Sequence, residues 1–433
     1  MIFNLPPICG LFPLLLYIVL SFRKGMHPLV NVSICAVVGA ILVKQPLGSL
    51  GAVIYESMGS FLALVGFIIM LGSGLGVVLR KTGVAAAIVN VLMRKIGVKT
   101  QKRAILATMV SSVCLVTLLG TLAGANAVIA PIVIPLVAAV GITPSTLAII
   151  FQGAGQTGLF LSPFSPPMVT LMGITGLSYP RILVCAGIPI AIVMWIGTYL
   201  IAIKVQKDTQ GKEDFGTDVE LPDGNFKVDP VTKRATFTFV ITMAVMVVYG
   251  IITKGGASFV ILVMLVAAIL TGLVAKMSAG EIFDSIIEGC GKLMWLFFMF
   301  LMFNPFLNFV TASGAFDAML ELMEPLIGST GKLGFTLLTV LVGIFGINGA
   351  AAQALMIDSL FNGFLPGLGV SMELWAMIVL VGHQITSYAY PGVDMIGAMG
   401  LAHAKNIKPM LQLAYMAIIP GTILACCIAS FIL

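Results

Sequence analysis

Gly155-Gln156-Thr157-Gly158, followed by Ser162-Pro163-Phe164-Ser165-Pro166-Pro167, interrupts an apolar segment in the first half of this chain. His383-Gln384-Ile385-Thr386, followed by Tyr390-Pro391-Gly392-Val393-Asp394, does the same in the second half. Gly141-Ile142-Thr143 leads into the first segment and Gly369-Val370-Ser371 into the second. Backbone freed by proline and glycine at bilayer depth is tolerated only where protein or a water-filled cavity satisfies it. Two such interruptions in corresponding positions of two halves point to a binding site between them.

The surrounding sequence is membrane-like throughout. The chain has 433 residues, 59% hydrophobic and 9% charged, with a mean hydropathy of +1.12. A soluble domain carries roughly 25% charged residues. Apolar runs long enough to cross a bilayer recur, which favours spanning helices over the alternating segments of a membrane barrel. Residues 8–22 are apolar, and Arg23 and Lys24 follow the run instead of preceding it. That order reads as a first spanning helix and not as an export signal. The seven cysteines show no metal-ligand spacing with histidine and read as packing residues.

Spanning helices are predicted at about 8–22, 28–43, 62–79, 145–172 and 182–203, then at 236–253, 257–275, 290–311, 372–398 and 410–431. Two apolar stretches, 104–140 and 333–366, read as re-entrant hairpins with small-residue breaks at Gly124-Ala125-Asn126-Ala127 and Asn348-Gly349-Ala350-Ala351. Shorter helices at about 84–97 and 314–327 read as interfacial. With residue 1 outside, Lys44, Arg181, Lys254 and Lys332 are external, and Lys292 starts a helix. The other 18 of the 23 lysines and arginines are cytoplasmic, as the positive-inside rule requires. The polar stretch 204–234 is then a cytoplasmic linker.

Gln384 lies 228 residues after Gln156, and Pro391 lies 228 after Pro163. The same shift places Ile54-Tyr55-Glu56-Ser57 on Ile282-Phe283-Asp284-Ser285. It drifts to 231 at Gly83 and Gly314, and to 225 at Gly124 and Gly349. The fold expected is therefore an all-α polytopic membrane protein. Two halves, 1–203 and 235–433, each hold about five spanning helices, one hairpin and one interfacial helix. An odd number of crossings per half gives the copies opposite orientation, an inverted repeat with its site near the midplane.

No enzyme motif is present: no P-loop lysine motif and no HExxH. Gly72-Ser73-Gly74-Leu75-Gly76 ends an apolar span and is no nucleotide fingerprint. Hairpin tips expose free carbonyls for a cation and free N–H groups for an anion. Gly124, Asn126, Asn348 and Gly349 are the candidates there. In the interrupted segments the candidates are Gln156, Thr157, Ser162 and Ser165, with Gln384, Thr386, Ser387 and Asp394 as counterparts. Amide, hydroxyl and carbonyl oxygens suit a sodium ion, with Asn126, Thr157, Asn348 and Asp394 as its candidate ligands. The titratable residues at membrane depth in the second half are Asp358, His383 and Asp394, and such groups are functional by default. Asp394 reads as a cation ligand or proton acceptor; His383 reads equally as a titrating group or as a neutral, hydrogen-bonded one. Glu56, Asp284 and Glu373 read as helix-start residues.

Gly124-Ala125-Asn126-Ala127 with Pro131 and Pro135 resembles the hairpin-tip signature of the ion-transporter superfamily, usually Ser-Asn-Thr. The Gly155–Pro167 stretch resembles that superfamily's Gly-rich, Pro-containing fifth crossing. The group includes divalent-anion/sodium symporters, citrate carriers and sodium/proton antiporter-like permeases. The resemblance implies a homodimer, a scaffold, a mobile transport domain and elevator-like alternating access. It implies a secondary transporter in the cell membrane, moving a small organic anion (a carboxylate or dicarboxylate) or an amino acid with Na+ or H+. Sodium/proton antiport without organic cargo is the alternative. Alanines flank Asn126 where that signature has serine and threonine, and Asp394 leaves proton coupling open beside sodium. Membrane lipid and a small molecule are the expected partners, with no nucleic acid and no cofactor beyond the coupling ion.

Overall fold

A computed structural model describes residues 4–21, 23, 26–215, 228–253, 255–345 and 350–433, and among them every regular element is helical. The first half runs α1 (Phe12–Ser21), α2 (Pro28–Leu42), α3 (Leu50–Ser57), α4 (Phe61–Lys81), α5 (Val84–Ile96), α6 (Gln101–Leu119), α7 (Leu122–Ala138), α8 (Pro144–Leu161), α9 (Pro166–Thr175), α10 (Tyr179–Ile182) and α11 (Ile188–Thr209). The second runs α12 (Pro230–Ile252), α13 (Phe259–Val274), α14 (Ala279–Ala312), α15 (Ala315–Val342), α16 (Ala350–Phe361), α17 (Leu365–Leu368), α18 (Met372–Ala389), α19 (Val393–Leu401), α20 (Lys408–Leu413) and α21 (Ile419–Ile432). Among the described residues, six helical runs are long and apolar enough to cross a membrane by length and composition. They include Tyr179–Thr209 and Lys408–Ile432, each continuous through a π-helical turn, Leu183–Gly187 and Ala414–Ile418.

The two interrupted segments share a local construction. Gly141 and Gly369 adopt left-handed φ of +73° and +61°. Thr143 then caps α8 and Ser371 caps α18 through their side chains, satisfying helix-start N–H groups. Each helix runs 18 residues and is buried on nearly all sides. Each ends where a residue precedes proline: Ser162 before Pro163 (φ −86°, ψ 126°) and Tyr390 before Pro391 (φ −150°, ψ 163°). Proline's ring disfavours helical geometry in the residue before it. The chain resumes as α9 and α19, which cross reciprocally: α19 packs on α8 and α7, and α9 on α18 and α16.

Several elements differ from the sequence-based expectation. The α6–α7 turn falls at Gly120-Thr121, not at Gly124–Ala127. Gly120 has φ +66°, and a Cβ there would lie 2.9 Å from the Phe164 carbonyl oxygen. Gly124, Ala125 and Ala127 are small but helix-compatible, so α7 continues through them. Helix α14 starts at Ala279, well before 290, nucleated by a reciprocal capping box between Ser278 and Glu281. Asp284 consequently lies in the second turn of α14, and Glu56 sits at the end of α3, not at a helix start. The helix at 314–327 runs on to Val342 across a non-helical Gly331 (φ 63°, ψ −172°). The Asn348-Gly349 break lies outside the described residues.

Gly72-Ser73-Gly74 proves to be a packing surface. A Cβ on Gly289 of α14 would lie 2.4 Å from the Ser73 carbonyl oxygen and 2.5 Å from Gly74 Cα. Helices α4 and α14 therefore touch backbone to backbone, as small residues permit in membrane bundles.

Candidate functional site

The last carbonyls of a half-helix have no intrahelical partner, and in α8 and α18 side chains from other elements reach them. At the end of α8, Thr117 donates to the Gly158 carbonyl (3.1 Å), Ser165 to Leu159, and Tyr179 to Leu161 (2.8 Å). At the end of α18, Gln152 Nε2 donates to the Ser387 carbonyl (3.3 Å) and Tyr415 to that of Ala389. One tyrosine in each half thus caps the last residue of each interrupted helix. Tyr179 opens α10, and Tyr415 stands in the π-helical turn before α21. Such turns recur at functional sites.

Asp394 occupies the first turn of α19, where the helix dipole favours an anion. Gln156 Nε2 donates to its Oδ2 at 3.1 Å, and Ser387 Oγ donates to the same oxygen at 3.2 Å. Asp394 makes no ion pair with any described residue. Gln152 stands one turn before Gln156 on the same face of α8, and Tyr388 donates to the Gln152 backbone carbonyl (3.4 Å). A polar chain, Gln152–Ser387–Asp394–Gln156, therefore joins the two halves, its glutamines buried and Ser387 and Asp394 half-buried. Its only ionisable member is the carboxylate. Buried polar groups held in such a chain demand satisfied partners.

The remaining predicted residues are dispersed. Asn126 is buried one turn inside α7, where its side-chain oxygen accepts from Ser112 (3.0 Å) and its nitrogen donates to the Phe151 carbonyl (2.9 Å). Those two bonds lock α6, α7 and α8 together. Gly124 is exposed nearby. Thr157 donates to Gly153 of its own helix. Ser162 accepts from the Phe164 N–H, and Ser165 stitches the interruption. His383 is buried with its ring edge to Phe160. Gln384 Nε2 lies against Met194 Sδ, and Thr386 donates to the Gly343 carbonyl at 2.7 Å. Asp358 accepts from the Trp375 indole at 2.8 Å. Glu373 pairs with Arg181 at 2.9 Å, joining the start of α18 to α10. Gln152, Tyr388, Tyr179 and Tyr415 escaped the sequence reading. The i, i+4 spacing of Gln152 and Gln156 was the one local signal.

A separate cavity of about 660 Å³ reaches the first interruption. Its lining includes Phe61, Pro163, Phe164, Tyr179 and Phe259, carries no charged side chain, and contains none of the four residues of the polar chain.

The fold is shared with solved membrane proteins. It is similar to the YdaH transporter of Alcanivorax borkumensis, at 15% identity and a TM-score of 0.62, covering 94% of this chain and 98% of that one. It is also similar to Neisseria gonorrhoeae MtrF, described as illuminating a class of antimetabolite efflux pumps, at 13% identity and a TM-score of 0.57, covering 97% of each chain. Residues 17–205, which contain α2 to α8 and the first interruption, match the Na+/H+ antiporter family. No curated protein matches the chain.

Proposed function

We propose that this chain is a secondary active transporter in which Na+ and H+ exchange at Asp394, between two inverted halves. The observation that carries this reading is the bond from Gln156 of α8 to Asp394 of α19, a lone carboxylate held across the halves by neutral donors. A carboxylate so placed binds one cation at a time, proton or sodium. Alternating exposure of that site then exchanges one ion for the other. The reciprocal crossing of α9 and α19 supports an inverted repeat. The likeness of residues 17–205 to the Na+/H+ antiporter family supports the ions chosen. Neither interruption offers an obvious anion site: α9 opens with Pro166-Pro167, which lack N–H groups, and α19 already carries Asp394.

A second reading, cation-coupled movement of a small organic anion or amino acid, draws on the 660 Å³ cavity, which is of small-molecule size. Elevator-like movement of the α8–α9 and α18–α19 units, a homodimer and a cytoplasmic 204–234 linker complete the proposal. Proteoliposomes with sodium and pH gradients set independently test it. Sodium-driven proton movement without added solute supports exchange. Flux that requires an organic solute selects the second reading, and no gradient-driven flux of either kind refutes both.

A further inference from the structure

Gln152 is fully buried, and its amide nitrogen is committed to the Ser387 carbonyl. The oxygen of the same amide has no hydrogen-bond partner. A buried acceptor without a donor is destabilising, so a ligand that supplies positive charge is favoured there. Among the described residues, other buried side chains also carry unpartnered acceptor atoms: His383 Nδ1, Gln384 Oε1 and the hydroxyls of Ser111, Ser145, Thr170, Thr198, Thr271 and Thr339. His383 lies against Phe160, and Gln384 lies against Met194. Only Gln152 stands in the chain that ends on a carboxylate.

We infer that the side-chain oxygen of Gln152 is a ligand of a sodium ion held where α8, the C-terminal end of α18 and the first turn of α19 meet, together with Ser387 and Asp394. The inference rests on the proposed cation exchange at Asp394 and names the ligands of that site. Ser387 offers a hydroxyl and a carbonyl in the last turn of α18 that has a second lone pair beside the one bonded to Gln152. Half-helix C-terminal carbonyls are the groups that coordinate sodium in transporters with interrupted helices. One carboxylate among neutral oxygens suits a monovalent hard cation. Among the described residues no cluster of three or more His, Cys, Asp or Glu is present that would suit a transition metal. Of the sodium ligands expected from sequence (Asn126, Thr157, Asn348 and Asp394), Asp394 is retained here, Asn348 lies outside the described residues, and the side chains of Asn126 and Thr157 are already bonded to Ser112, Phe151 and Gly153.

The test is a sodium titration of the full-length protein, read as thermal stabilisation in detergent and as sodium-dependent flux in proteoliposomes. Gln152→Leu removes the oxygen at similar volume. Its half-saturating sodium is expected to rise about 10- to 100-fold, the range seen when even an outer-shell partner of a metal is lost. Gln152→Glu keeps an oxygen in place and adds charge, and is expected to lower the half-saturating sodium. Unchanged sodium dependence in either folded variant, beside a wild type that does exchange sodium for protons, overturns the inference and leaves the proposed function standing. A wild type with no cation-coupled flux refutes the proposed function instead.

Discussion

Helices α4 and α14 bring the two halves together at a crossing that only glycine permits, and two substitutions two residues apart test it. A Cβ added at Gly289 would lie 2.4 Å from the Ser73 carbonyl oxygen, 2.5 Å from Gly74 Cα and 2.6 Å from Gly74 N. All three are backbone atoms, so no side chain can swing away. Ordinary carbon contacts begin near 3.5 Å, so the helices must separate by about 1 Å along their contact. Forced overpacking costs about 1–3 kcal/mol and sometimes more, and Gly289→Ala is expected at the upper end. Gly291 faces open space, with nothing within 4 Å of an added Cβ. Gly291→Ala is therefore expected to be neutral or to gain about 0.5–1 kcal/mol from reduced unfolded-chain freedom. Thermal denaturation of the purified protein in detergent, followed by monodisperse fraction, compares the pair directly. The midpoint falls for Gly289→Ala and holds or rises for Gly291→Ala. Equal midpoints for Gly289→Ala and wild type would refute the backbone contact.

Tyr415→Phe and Tyr179→Phe each leave a half-helix carbonyl without its donor. Each should lower the thermal midpoint by an amount equivalent to about 1–3 kcal/mol, with flux falling more for Tyr415, which caps the helix end beside Asp394; wild-type stability in both would remove the capping role. Asn126→Ala leaves the buried Ser112 Oγ without its acceptor and removes a second donor from the Phe151 carbonyl, which keeps its own helix bond, so a stability loss of about 1–3 kcal/mol is expected. Its half-saturating sodium should stay near the wild-type value, and a large shift at unchanged stability would make Asn126 an ion ligand instead. Asp229 caps α12, and the Thr232 hydroxyl with the backbone N–H groups of Thr232 and Val231 holds its carboxyl below the usual range. Because the folded value is depressed, its stabilisation is present above the unfolded carboxylate value and lost as pH falls through the folded one. Asp229→Ala should therefore shallow the acid-side fall in midpoint, and identical pH profiles for the two proteins would contradict this.

The two helix interruptions were legible in the sequence because their cause is local. Ser162-Pro163 and Tyr390-Pro391 disfavour helix at the residue before proline, and here the helices end there, whereas Pro131, Pro135 and Pro305 are carried inside α7 and α14. The α6–α7 turn was misplaced by four residues because small size was read as a break. What ends α6 is the left-handed conformation of Gly120, held by close approach to Phe164. The early start of α14 follows from the Ser278–Glu281 pair, a local capping signal. The candidate site was half visible. Asp394 and Gln156 stand out as polar groups in apolar helices, and the contact between them depends on α19 crossing onto α8. Gln152 and the two capping tyrosines act on carbonyls far along the chain. No spacing rule reveals such partners before the helices are packed.

Coupled flux through Asp394→Asn is the most direct measurement of the central claim. The substitution keeps the side chain's shape and removes the charge that Gln156 and Ser387 hold between the halves. Reconstituted Asp394→Asn that is as monodisperse as wild type should show no sodium-driven proton movement. Wild-type exchange in that variant would place the coupling ion elsewhere and contradict the account.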